Sequence, residues 1–423
     1  MIKLQKGVFS NPYIVSIISK LNMVILGFVN SVLISRYLGP ELLGHYSYII
    51  NFVNIFSLML TLSIGQSYPY FKKKYGEKVQ SKFINIIYIQ LLVYLFLAFS
   101  IFSLSDNKTA NIIVVVSILT QFNLQIGFIS LIINLFRKNV ITIYTSIINT
   151  LLLCSVFFLS VKNLDLVIFV LIFNLILNSL WLIFKIKIFP TSLEFSFSFF
   201  KNVLFFAFFP MMTSLLIMLN YNLDIIILER FVGFEEIGIY SVGVTLAKML
   251  WIIPDAFKDV LFNKTANKDS IEDIKFSIKI NVIISFLVIL CFSFLGHLFI
   301  RLFYGNEFIN SFDITLILFL GSVPMIFFKM INTLYIANGK QKFSFVILLL
   351  AVTSNVVLNC IFIPLFGLYG AAITSVLTYT FSGVIFLRSF MKSYKISVRE
   401  IFLIERSEFD KLKEITKKKV GKS

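Results

Sequence analysis

Residues 36–47 read RYLGPELLGHYS, and residues 230–241 read RFVGFEEIGIYS. At a constant offset of 194 positions Arg36 matches Arg230, Gly39 matches Gly233, Glu41 matches Glu235, Gly44 matches Gly238, Tyr46 matches Tyr240 and Ser47 matches Ser241. Each copy separates two long apolar segments. The echo therefore marks a duplicated helix-turn-helix unit, and with it two structurally related halves.

Apolar stretches long enough to cross about 30 Å of hydrocarbon extend outward from the first copy at about 13–36, 44–68, 82–104, 111–135, 140–161 and 164–186. A more polar connector, KIFPTSLEFSFSFFK, follows at 187–201. Six further stretches surround the second copy, at about 200–228, 238–262, 276–303, 312–336, 343–366 and 369–391. The expected fold is an all-α polytopic membrane protein, with twelve transmembrane helices in two parallel-repeat six-helix bundles around a central cavity. The bundles are expected at 1–188 and 189–391, followed by a basic cytosolic tail at 392–423. That tail reads as an interfacial amphipathic helix against anionic headgroups, or alternatively as a disordered segment.

Composition agrees. A mean hydropathy of +0.92 and a charged content of only 14% exclude a soluble globular chain. The 50 phenylalanines read as lipid-facing bulk and interfacial anchors rather than as platforms for bases. A net charge of +17 invites a nucleic-acid partner, but the placement of the basic residues argues against one. Arg36, Lys108, Lys162, Arg230 and Arg301 fall on one side of the twelve spans and Lys20, Lys248 and Lys329 within them, whereas the other Lys and Arg occupy the alternate loops. By the positive-inside rule both termini are cytosolic, and both copies of the motif form outer turns. The N-terminal segment, with two lysines ahead of its apolar run and no small-residue cleavage signal, reads as a retained first helix.

A charge in mid-span costs roughly 2.5–3.5 kcal/mol on insertion scales, so each must face something polar. Lys248, deep in the eighth span, is the leading candidate. On a continuous helical wheel Ser241, Thr245 and Asp255 fall on its side, an expected polar stripe facing water or substrate. The alternative is a structural pair of Lys248 with Asp255 or Asp224. Lys20 and Lys329 are further candidates, each placed where it could instead snorkel to the headgroups. Asp224, in NYNLD of the seventh span, is expected either to couple an ion or to pair with an outer basic residue. Gln121 with Gln125, and Asn174 with Asn178, share helical faces and read mainly as interhelical glue. Pro210, Pro254, Pro324 and Pro364 mark hinges or static kinks.

Signatures of catalysis are absent. His45 and His297 lack partners that suggest nucleophilic or metal chemistry, and no GxxxxGK[ST] loop occurs. Cys154, Cys291 and Cys360 are far apart and read as buried thiols, so neither a metal site nor a cofactor is expected.

With RYLGPELLGHYS at 36–47, DIIILERFVGFEEIGIYSVG at 224–243 and LFGLYGAAITS at 365–375, the chain resembles Wzx-type polysaccharide flippases, the oligosaccharide-lipid branch of the MATE-like exporter superfamily. The resemblance runs from about residue 10 to 391. It implies alternating access that carries an undecaprenyl-pyrophosphate-linked oligosaccharide across the bacterial inner membrane for O-antigen or capsule synthesis. It also implies membrane lipids, a polysaccharide polymerase and chain-length proteins as partners. The expected cavity residues, Lys248, Lys20, Lys329, Asp255 and Thr245, suit an anionic diphosphate. Arg36, Gly39, Glu41, Arg230, Gly233 and Glu235 are expected to build the outer turns, each arginine paired with its glutamate. Two alternatives stay open: a cation-coupled multidrug exporter, disfavoured because Glu41, Glu77, Asp106 and Asp165 all lie in loops, and a polymerase, disfavoured by short outer loops.

Overall fold

Gly39 has a φ of 72°, in the left-handed region that glycine enters at little cost, and there the chain turns between two helical arms. Pro40 follows as the first residue of the second arm, where its missing N–H would have had no partner in any case. In the computed structural model, which describes residues 12–104, 106–159, 161–190, 195–265 and 271–402, these arms form one kinked element, α1 (Pro12–Thr61). At 1.5 Å per residue its 50 residues would extend about 75 Å, so it contains two spans.

α2 (Ile64–Tyr75), α3 (Val79–Leu104), α4 (Lys108–Ile133), α5 (Leu135–Phe157), α6 (Leu164–Ile186) and α7 (Phe197–Leu228) follow. Next come α8 (Phe234–Met249), α9 (Ile252–Thr265), α10 (Ile271–Phe303), α11 (Ser311–Ala337), α12 (Gln341–Tyr394) and a short α13 (Val398–Phe402). α12 repeats the device of α1, turning at Gly367 with φ 54°. Among the described residues nine helices are long and apolar enough to cross a membrane, and α8 with α9 forms a tenth, bent by 41°. Since α1 and α12 each hold two spans, the expected twelve are present.

Two compact units divide the chain, 1–241 and 242–423. The halves drawn from sequence break instead at 188/189; in the structure α7 packs against α1 and so belongs with the first unit.

In the first unit α1 stops at Leu62 and Ser63, both with left-handed φ, before α2 begins. Neither residue of the break is a glycine or proline, although Gly65 follows two positions later inside the expected 44–68 span. The carbonyls released at the break are recovered by side chains. Gln90 Nε2 donates to Leu60 O at 2.7 Å, Tyr94 Oη donates to the same oxygen at 3.0 Å, and Gln125 Nε2 donates to Thr61 O at 3.0 Å. Beneath them Ile64, Tyr68 and Phe71 of α2 pack with Phe83 and Ile87 of α3, Ile126 of α4 and Leu182 of α6.

In the second unit α11 is the central helix: 72% of its most apolar window is enclosed by protein, against 17% for α10. α9, α10 and both arms of α12 surround it. The aromatic bulk faces outward elsewhere, with Phe158 and Phe205 each 85% exposed, as lipid-facing residues should be. Cys291 and Cys360 correct an expectation, because both lie exposed on such faces rather than buried, and Cys154 is half-buried. A lipid-facing surface accepts a thiol as readily as a core does. Of the tail, α13 and its approach are described and 403–423 lie outside the described residues.

Candidate functional site

The two copies of the motif meet within the first unit. A Cβ on Gly44 would overlap the backbone carbonyl of Phe234, and a Cβ on Gly238 would overlap that of Pro40. Gly44 and Gly238 are equivalent positions of the repeat, and so are Pro40 and Phe234. The contact is therefore reciprocal, the signature of a local two-fold relation between the hairpins. The imidazole of His45 stacks on Phe234 with ring centres 3.6 Å apart.

Two expectations about the motif are corrected here. Gly39 uses the left-handed region but its equivalent Gly233 does not, so the shared glycine is conformationally required in one copy alone. The expected pair Arg230–Glu235 does not form among the described residues. Both arginines are exposed, Glu41 lies near His45, and the backbone N–H of Gly233 is taken by Glu236 at 3.1 Å.

Lys248 closes the last turn of α8, half-buried, with Thr245 half-buried one turn earlier. The wheel that put Asp255 beside it assumed an unbroken helix. Pro254 cannot donate to the carbonyl of Leu250, and the ladder tightens there, with Leu250 N donating to Ala247 O and Trp251 N to Lys248 O. The chain bends by 41° between α8 and α9. Past the bend, Asp255 meets Lys329 of α11, whose ammonium donates to both carboxylate oxygens at 2.8 Å.

Lys329 does not snorkel. Its side chain is 8% exposed, and its ammonium also lies over the Trp251 ring, 4.8 Å from the centre. Trp251 in turn packs edge-on against Tyr379 at 5.6 Å. Asp255 is 45% exposed and has a second cation, Lys258, at 3.7 Å. Two lysines around one carboxylate leave this place net positive, with Lys248 preceding it on α8. Lys258, Trp251 and Tyr379 were not anticipated; a tryptophan three residues before a mid-span proline was the available signal.

Asp224 is buried on α7 in the first unit, where the hydroxyl of Tyr240, the motif tyrosine, donates to its carboxylate at 3.0 Å. Lys20 is exposed on α1, close enough to Lys138 of α5 for the two charges to interact. The structure thus gathers Lys329 and Asp255, and keeps Lys20 and Asp224 in the other unit. Asn174 and Asn178 act as glue: Asn174 donates to Thr145 O at 2.9 Å, and Asn178 to Asn123 Oδ1 at 3.3 Å.

A family model described as polysaccharide biosynthesis protein matches residues 12–255, more than half of the chain. The chain belongs to that family. Among curated proteins, a Shigella flexneri protein named "Putative O-antigen transporter" is 24% identical over 193 residues, 44% of this chain and 45% of its own length. The aligned part thus spans about half of that relative. Among solved structures, an inward-facing multidrug resistance MATE family transporter of the MOP superfamily superposes with a TM-score of 0.69 at 16% identity, covering 90% of this chain and 98% of its own. The lipid II flippase MurJ in an inward closed conformation gives 0.68 at 19% identity, covering 93% and 89%. At such identities these likenesses establish the fold alone. This family member is a multi-pass membrane protein with the MATE and MurJ fold.

Proposed function

We propose that the protein is a flippase that carries an undecaprenyl-pyrophosphate-linked oligosaccharide across the bacterial inner membrane by alternating access, with both termini cytosolic and its sequence repeats at 1–188 and 189–391. Membership of the polysaccharide biosynthesis family carries this reading. The placement of charge supports the diphosphate as the group recognised. Lys329 and Lys258 flank a single carboxylate beside Trp251, a partly desolvated and net-positive place where an anion gains more than it would in water. A diphosphate there competes for the ammonium of Lys329 and frees Asp255 toward Lys258. Lys248 adds positive charge in the same unit, and Lys20 is the candidate cation of the first unit. Asp224, held by Tyr240, is the candidate for an ion-coupling group.

The experiment is complementation of a flippase-deficient strain. Wild type restores surface polysaccharide, and Lys248→Ala, inserted at equal level, does not. Normal polysaccharide with Lys248→Ala would remove that lysine from the mechanism.

A further inference from the structure

At the end of the first unit that carries both motif copies lies a cavity of about 480 Å³. Its floor is aromatic: Phe52 and Phe56 of α1 lie one helical repeat apart, 27° from parallel, with ring centres 5.8 Å apart. Tyr48, a further turn back, stands edge-on to Phe52 at 70° and closes that end. The stacked pair of His45 and Phe234 forms a second wall, Asn107 at the N-cap of α4 with Thr109, Ala110, Ile113 and Val114 adds to the lining, and so does the half-buried Glu229.

This arrangement selects among ligands. An aromatic lining with one carboxylate suits a flat molecule with one apolar face and a hydroxyl periphery. An organic cation would call for a net-negative cage, whereas here the lining carboxylate of Glu229 is followed directly in the chain by Arg230. An acyl chain would bring no donor to Glu229 and would desolvate it.

We propose that this cavity is a saccharide subsite, which holds one or two pyranose rings of the lipid-linked glycan with their apolar faces on Phe52 and Phe56 and a hydroxyl pair on Glu229. The inference rests on the transport reading above and adds where the glycan is recognised, apart from the diphosphate.

The test uses the full chain in nanodiscs and, as probe, the host's own repeat-unit oligosaccharide released from its lipid by mild acid. Saturation-transfer NMR reads contact between protein and pyranose ring protons. The expected result is transfer with wild type, retained by Phe52→Tyr and lost roughly five-fold or more by Phe52→Leu and by Glu229→Gln, all at unchanged thermal stability. Absence of transfer with wild type overturns the subsite. So does equal transfer with Phe52→Leu and Glu229→Gln, or displacement by tetraphenylphosphonium at lower concentration than by free oligosaccharide. Complementation by wild type separates the two readings: if it restores polysaccharide while the variants bind sugar normally, the subsite alone fails.

Discussion

Gly44 lies against the carbonyl of Phe234, and the equivalent glycine of the second copy, Gly238, lies against that of Pro40. Duplication has thus produced two hairpins and also a contact that each makes to the other. Any side chain at either glycine meets backbone, which cannot rotate away. Gly44→Val and Gly238→Val are expected to destabilise by about 3 kcal/mol or more, because overpacking costs about 1–3 kcal/mol even where side chains can yield. Gly27, with open space around it, serves as control; Gly27→Ala should be neutral or stabilising by up to about 1 kcal/mol. Thermal unfolding in detergent reads all three.

The pair of Lys329 and Asp255 is asymmetric, and its variants should be too. Asp255→Asn strands a buried ammonium, whereas Lys329→Met leaves a half-exposed carboxylate that Lys258 and solvent can serve. Breaking a fully buried pair costs about 3–5 kcal/mol; with one partner 45% exposed, Asp255→Asn should fall below that range, at about 2 kcal/mol, and Lys329→Met near 1. Equal losses in chemical denaturation would contradict the placement of Lys329 inside the unit.

Gln121 and Gln125 stand one turn apart on α4 and are expected to respond in opposite directions. Gln125 holds Thr61 O and Gln90 Oε1, so Gln125→Leu should cost about 1–3 kcal/mol. Both polar atoms of Gln121 are buried without a hydrogen-bond partner, and Gln121→Leu should be neutral or stabilising. Melting temperatures of the two variants decide the matter.

Most of this architecture was legible in the sequence. Loop charge and apolar length indicate twelve spans, and the repeat locates both hairpins, since these patterns follow directly from solvation by lipid. What was hidden depends on neighbours far away in the chain. The break at Leu62–Ser63 is stabilised by Gln90, Tyr94 and Gln125, with Gly65 just past it as its nearest helix-weakening residue. The reciprocal contact of Gly44 and Gly238 needs the second copy in place. The helical wheel put Asp255 on the side of Lys248 because it cannot represent the bend before Pro254, past which Asp255 meets Lys329.

Glu400 on α13 accepts from the backbone N–H and hydroxyl of Ser397, and Lys275 of α10 lies at 3.4 Å. These hydrogen bonds, the Ser397 ones first, hold its pKa below the ordinary carboxylate value. A lowered folded-state pKa means that the contribution to docking of α13 is present above the ordinary carboxylate pKa and is lost as pH falls through the lowered value. Protection of 395–402 from hydrogen exchange, taken relative to the intrinsic rate at each pH, should therefore fall on acidification, and Glu400→Gln should remove that dependence.

The central claim is transport of a complete lipid-linked repeat unit, and depletion of the protein in its host tests it most directly. Lipid-linked sugars are then extracted and assigned to a leaflet by accessibility to an impermeant oxidant. The account predicts a build-up of the full repeat unit on the cytosolic leaflet. Repeat units that reach the outer leaflet at the normal rate, with single units at the surface in place of long chains, would contradict it and indicate a polymerase.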